Sequence, residues 1–462
     1  MLRLSLCFIC LISFYFTQSQ DLVKRLDNAV KKMEADPQLK HAIISFCVVD
    51  SKTGKQVFEK NSQVGLAPAS CQKIITSVAA FELLGKDYHY KTVLGYDGRI
   101  DNGLLKGNLH ISGSGDPTLG SWRWSTTHEN FVLDNWISEI KRAGIKNIEG
   151  TVMVDNKNWS TGIIPDGWIW QDIGNYYGAG ASWLNWRENQ YDIVLRSGKT
   201  PGDLCTIISV SPRLFQSSFI CEVKTGEKGS GDNAYIYLPI DSSTAYVRGT
   251  IPPGESAFTI SGSFPNSSSQ LQNTLSLVMN NSGIKTATQS NRNLSASTVN
   301  ILFTSLSPPL DSINYWFLKK SINLYGEALI KTIAFEKEGF GSTEKGVDIV
   351  KYFWSQRGVE KSSINIFDGC GLSPQNRVTS EALVKVMQYA KSRPWFNSFY
   401  KSLPEINGIT MKSGSIGGAR SYTGYVSNRS GMEFTFAIIV NNYDGNTNEV
   451  VRKIWALLDI LK

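Results

Sequence analysis

Ser70 and Lys73, three residues apart, are a pair that can do nucleophilic chemistry. A serine hydroxyl attacks a carbonyl effectively only when a neighbouring base takes its proton. Within one helical turn, positions i and i+3 share a face, so a lysine amine at that spacing reaches the hydroxyl. The amine must be neutral to accept the proton, and burial or nearby positive charge favours that state. Spacing alone selects nothing here. Ser-x-x-Lys begins at Ser70, Ser138, Ser282, Ser342 and Ser398, and Ser-Ile-Asn begins at Ser312, Ser321 and Ser363. Lys-Thr-Gly occurs at Lys52 and Lys224, and a close variant, Lys412-Ser413-Gly414, lies near the end.

The elements around each candidate make the selection. Pro68-Ala69-Ser70 is a helix-start signal, the apolar run Ile74 to Leu84 leaves little polar face, and Gly85 stops the helix. Ser70 is therefore expected at the N-terminal end of a buried helix, where partial positive charge and free N–H groups suit an oxyanion. Ser138 and Ser398 lie mid-segment, and Ser282 and Ser342 fall in glycine-containing loops. Lys52-Thr53-Gly54 reads as a turn between two strands, and Lys224-Thr225-Gly226 runs into a loop. Lys412-Ser413-Gly414-Ser415 instead opens a series of C-terminal strands, through Tyr422 to Val426 and Phe434 to Val440, and suits a substrate-lining edge strand.

In this order and setting the chain resembles the D-alanyl-D-alanine carboxypeptidase/endopeptidase branch of the low-molecular-mass penicillin-binding proteins. The resemblance is carried by Pro68 to Lys73, Gly113-Ser114-Gly115-Asp116-Pro117-Thr118-Leu119, Tyr177-Gly178-Ala179 and Ser182-Trp183-Leu184-Asn185. It continues in Ser321-Ile322-Asn323-Leu324-Tyr325-Gly326-Glu327, Asp368-Gly369-Cys370-Gly371-Leu372-Ser373 and Lys412 to Ser415. About 250 residues separate Ser70 from Ser321, and that branch is known for a large insertion there. Cys71, Cys370 and Ser413 depart from the usual threonine, serine and threonine, and none removes a reacting group. Cys71 is expected to pack inside.

The resemblance implies the roles. Ser70 attacks the carbonyl between two D-alanines, Lys73 accepts its proton, and Ser321 relays a proton to the leaving amine. Asn323 binds the substrate amide, while Lys412 holds the substrate carboxylate with Ser413 as hydrogen-bonding partner. Backbone N–H groups of Ser70 and Ser415 form the oxyanion hole. Asp116 either caps a turn or meets a side-chain amine of the stem peptide. The expected partners are peptidoglycan stem peptides, with β-lactams as covalent inhibitors. A β-lactamase or D-amino-acid esterase would use the same residues, and a non-catalytic wall-binding or β-lactam-sensing protein is a further alternative.

Composition fits an exported enzyme. Residues 1–20 read as a signal peptide, with Arg3 before an apolar run too short to span a bilayer. Cys10 sits inside that run and is a poor lipidation site, so no membrane anchor is expected after signal removal, and the periplasm or cell wall is the expected location. The four histidines show no metal spacing, and neither a metal nor a cofactor is expected. A net charge of +7 without a Lys/Arg run argues against nucleic acid. Cys47, Cys71, Cys205, Cys221 and Cys370 remain after signal removal, an odd count. Cys205 and Cys221 flank a strand–turn–strand segment, and both a disulfide, adding about 3 kcal/mol, and two buried thiols fit them.

The expected fold class is α+β. Residues 21–90 and 305–462 form a split β-lactamase/transpeptidase-like domain, an antiparallel sheet flanked by helices. Residues 91–304 form one or two inserted β-rich domains. Residues 265–270 and 288–297 look like loops. Eight of the twelve tryptophans lie between Trp122 and Trp186, where they are expected to build the insert's own core and its seam with the catalytic domain rather than a platform for glycan or peptide stem.

Overall fold

The computed structural model describes residues 20–155, 158–215, 217–239, 243–286 and 298–462. The chain separates into two compact units. One holds the described residues up to Glu82 with Asn314–Ser321 and Val347–Lys462, and the other holds Leu83–Ile313 with Ile322–Gly346. The signal-peptide reading, apart from residue 20, and the whole of the 288–297 loop reading fall outside the described residues.

The first unit is built on a six-stranded antiparallel sheet. Its strands are β1 (Ile43–Asp50), β2 (Gln56–Lys60), β3 (Glu405–Ile406), β4 (Ile409–Ile416), β5 (Ala419–Ser427) and β6 (Glu433–Asn441), ordered β2-β1-β6-β5-β4-β3. β1 pairs with β6 from Ile43↔Asn441 to Asp50↔Phe434, and β5 joins β6 to β4 through Thr423↔Ala437 and Lys412↔Thr423. Both faces of this sheet are covered, and for that reason β1 reads as a nearly continuous apolar run rather than a clean alternation. Phe46, Val48, Phe436, Ile438 and Val440 face Leu26 and Val30 of α1 (residues 20–34) and Val450, Ile454 and Leu458 of α4 (Thr447–Leu458). α2 (Lys73–Leu83), as far as Glu82, and α3 (Ser380–Lys391) belong to the same unit. On the other face of β1, Ser45 Oγ donates to Ser380 Oγ at the start of α3, 2.7 Å away. The Lys52-Thr53-Gly54 triplet is the β1–β2 turn, tied by Asp50, whose Oδ1 accepts from Thr53 N at 2.7 Å.

The second unit is a strand-rich assembly around its own core. Strands Lys91–Tyr96, Leu109–Ser112, Val152–Asp155 and Asn300–Leu306 share one sheet, and strands Gln190–Arg196, Thr206–Ser211 and Phe258–Ser263 another. Leu94, Ile111, Trp136, Trp186, Tyr191, Ile193, Val247, Leu271 and Leu275 meet in one apolar cluster. Trp136, Trp159, Trp168, Trp183 and Trp186 are buried, as the core reading expects, whereas Trp122 and Trp170 are exposed. Residues 265–270 are not simply a loop. Asn266 accepts from Ser269 N and caps a helix over Ser267–Asn281, a start signal that the polar Asn-Ser-Ser-Ser composition disguises. Cys205 and Cys221 stand as separate thiols.

Candidate active site

Ser70 lies in a 3-10 turn, Ala69–Gln72, that leads directly into α2 at Lys73. Pro68 fixes the entry, and Ala69 takes a left-handed φ of 45°, rare for a residue with a Cβ. The turn brings Lys73 Nζ to 2.9 Å from Ser70 Oγ. Lys73 is fully buried, and its Nζ also donates to the Cys370 carbonyl at 2.8 Å.

That carbonyl is presented by a loop whose hub is buried Asp368. Its Oδ1 accepts from Gly371 N and Gln72 Nε2, both at 2.8 Å, and from Asn376 Nδ2 at 3.0 Å. Its Oδ2 accepts from Ser373 N at 2.7 Å. Gln72 Nε2 also donates to the Asp368 carbonyl at 2.6 Å, and Thr76 Oγ1 donates to Gly369 O at 2.7 Å, so the end of the nucleophile turn and the first turn of α2 both grip the loop. Gly371 lets the loop come close, since a Cβ there would stand 2.0 Å from Ala69 O. The sequence reading placed Asp368 to Ser373 among the stretches of resemblance but gave them no role. The Asp-Gly-x-Gly spacing was the available signal.

β4 carries Lys412, Ser413 and Ser415 beside this turn. Cys71 is fully buried, as expected from its helical angle, and its Sγ donates to Lys412 O at 3.2 Å. Gly414 makes the contact possible. A Cβ there would lie 2.5 Å from Pro68 O and 2.9 Å from Ser70 N. Lys412 Nζ donates to the Ser413 carbonyl at 2.7 Å. Burial, and after it the positive charge of Lys73, pushes the Lys412 ammonium down to about 7. β3 pairs with β4 only at Ile409 and Thr410, so the stretch from Lys412 to Ile416 has β5 on one side and, among the described residues, no strand on the other.

The Ser-Ile-Asn motif straddles the division between the units. Ser321 ends a segment of the first unit with a left-handed φ of 56°. Asn323 begins the helix Asn323–Glu338 of the second unit and donates from Nδ2 to Tyr177 O at 2.7 Å. Asp116, also in the second unit, is 3% exposed and caps its own turn, its Oδ1 accepting from Thr118 N at 2.8 Å and Thr118 Oγ1 at 2.6 Å. Burial raises its carboxyl to about 6. A carboxylate the sequence reading did not single out, Asp172, is hydrogen-bonded to the Tyr177 side chain, and burial raises its pKa. Tyr177 thereby links Asp172 to Asn323.

Known proteins resemble the chain over most of its length. A family described as D-Ala-D-Ala carboxypeptidase 3 (S13) matches residues 26–410. The D-alanyl-D-alanine carboxypeptidase of Actinomadura sp. (strain R39) is 25% identical over 449 residues, covering 89% of this chain and 80% of that protein. The crystal structure of penicillin binding protein 4 (dacB) from Haemophilus influenzae superposes with a TM-score of 0.79 at 22% identity, over 94% of this chain and 98% of that one. The same protein complexed with a β-lactam gives a TM-score of 0.73 at 21% identity, with the same coverage.

Proposed function

The chain belongs to the D-Ala-D-Ala carboxypeptidase 3 (S13) family and is a penicillin-binding serine carboxypeptidase, and from that premise we propose that Ser70 forms its acyl-enzyme. The observation that carries the assignment is the 2.9 Å contact between Lys73 Nζ and Ser70 Oγ beside the Lys412 strand. Ser70 Oγ attacks the carbonyl carbon of the penultimate D-alanine as Lys73, in its neutral form, takes the hydroxyl proton. Backbone N–H groups of Ser70 and Ser415 receive the oxyanion. The C–N bond breaks, the leaving amine takes its proton by way of Ser321, and D-alanine departs. Water, deprotonated by Lys73, then hydrolyses the ester.

The open side of β4 holds the extended substrate, whose carboxylate pairs with Lys412 beside Ser413, and Asn323 keeps the amide-binding role that the family resemblance gives it. A crosslinked stem peptide in the same pose gives endopeptidase cleavage. Asp116 keeps Oδ2 for a stem ammonium, although its other oxygen is spent on Thr118. Asp172, joined to Asn323 through Tyr177, is the second carboxylate that fits this task. Residues 21–90 with 305–462 act as the catalytic domain and 91–304 as its insert.

Residues 1–20 direct export, and the mature enzyme works in the periplasm or wall. Among the described residues no helix is long and apolar enough to cross a membrane. Incubating the mature protein with pentapeptide stems and weighing the products tests the reading. Loss of one alanine supports it, and untouched stems refute it.

A further inference from the structure

The helix Asn323–Glu338 starts without a side-chain cap, because Ile322 at its N-cap position offers no acceptor. Its first turn is fixed by tertiary contacts instead. Tyr325, fully buried, donates its hydroxyl to Glu188 Oε1 at 2.7 Å. Glu188 is itself fully buried and takes three more hydrogen bonds, from Ser121 Oγ at 2.7 Å, Arg123 Nε at 2.7 Å and Arg123 Nη2 at 3.1 Å. Two turns further along the helix, buried Lys331 donates to Gly162 O at 2.7 Å and Ala181 O at 2.9 Å. Tyr177, Glu188, Gly162 and Ala181 thus hold one helix from a single stretch of the inserted segment.

The backbone at Glu188 is strained. Arg187, Glu188 and Asn189 have φ of 53, 52 and 54°, three successive left-handed residues without a glycine. Such a conformation persists only where its surroundings over-determine it. Here they do. Arg187 pairs with Glu129, Asn189 Nδ2 donates to Gly180 O at 2.9 Å, and Asn189 Oδ1 accepts from Trp186 N at 3.0 Å. The strained turn aims the Glu188 carboxylate at Tyr325. Burial, and then the Glu188 charge, keeps the Tyr325 phenol protonated and therefore a donor.

We propose that Glu188 is a positioning residue for the acyl transfer, which through Tyr325 fixes the first helical turn and hence the Asn323 amide. This rests on the role given to Asn323 above. A fully satisfied buried network is rigid, and losing one partner leaves a buried group unpaired.

The test compares Tyr325→Phe and Glu188→Gln with wild type, each alone and on an Asn323→Ala background. Acylation by a fluorescent penicillin and hydrogen exchange of the 323–326 amides are measured. Each single variant is expected to slow acylation at least about 10-fold, the scale of a hydrogen bond to a charged group. On the Asn323→Ala background the further loss disappears, because the residues act as one unit. Equal losses on both backgrounds, or wild-type acylation by Tyr325→Phe, overturn the proposal. If Glu188→Gln fails to fold, Tyr325→Phe, which deletes a single oxygen, decides alone. If wild type itself takes up no penicillin, the functional reading fails separately and exchange decides. Faster exchange in Tyr325→Phe upholds the anchoring, and unchanged exchange overturns it.

Discussion

Lys73 Nζ lies 2.9 Å from Ser70 Oγ, and the same Nζ is anchored on the Cys370 carbonyl at 2.8 Å. The Asp368 loop therefore sets where the base sits. Lys73→Met keeps most of the buried volume and removes the proton acceptor. It is expected to slow penicillin acylation by about 100- to 10,000-fold, the range for a general base, while the thermal transition persists. Wild-type acylation by a folded Lys73→Met protein would exclude Lys73 as the base.

Gly414 is expected to tolerate no side chain. A Cβ there meets Ser421 Oγ at 2.3 Å, Pro68 O at 2.5 Å and Ser70 N at 2.9 Å. Gly414→Ala must push the nucleophile turn away from β4, costing about 1–3 kcal/mol of stability. Displacement of a reacting group by about 1 Å costs up to about 100-fold in rate. Denaturant unfolding and acylation kinetics on the same sample check both effects, and a variant normal in both contradicts the packing described here.

Lys412 sets a pH dependence. Its pKa of about 7 in the unliganded protein means that the ammonium prevails at pH 6 and the neutral amine at pH 8. A substrate carboxylate stabilises the ammonium and raises that pKa, so binding takes up a proton above pH 7 and almost none at pH 6. KM should climb as pH rises above 7. Calorimetry of a D-Ala-D-Ala peptide in buffers of different ionisation enthalpy reads the uptake directly, using a deacylation-deficient or slowly turned-over ligand. Lys412→Ala should abolish the uptake and lower kcat/KM about 10- to 100-fold.

The two acids of the second unit are separable. Asp116→Asn and Asp172→Asn are each compared on stem peptides with a free and an acetylated side-chain amine. The acid that meets the amine slows the free-amine peptide selectively when neutralised, because a partly desolvated ion pair discriminates strongly. Equal slowing of both peptides by Asp116→Asn would leave it as the cap of the Thr118 turn.

Much of the site was legible because its signals are local. The Pro68 start, the apolar run after Lys73 and the strands flanking Lys412 are periodicity and turn chemistry, and the helix and strands stand where expected, except that a 3-10 turn over Ala69–Gln72 carries Ser70 ahead of the helix. What escaped depends on backbone states that residue types do not announce. Ala69, Ser321 and the run Arg187 to Asn189 are left-handed without glycine. The hub role of Asp368 and the clamp of Glu188 on Tyr325 also join residues more than a hundred positions apart, or across loops with no periodic pattern. Residues 265–270 failed for the opposite reason. Polar turn-formers are also helix-capping residues, and the apolar positions that decide between the two, Leu271 and Leu275, come afterwards.

The central claim is that Ser70 carries the acyl group. Mass mapping of the mature protein after a short exposure to penicillin tests it most directly. The account predicts one adduct, on the peptide containing Ser70, absent from Ser70→Ala and displaced by a D-Ala-D-Ala peptide. An adduct on another residue, or its survival in Ser70→Ala, would contradict the account.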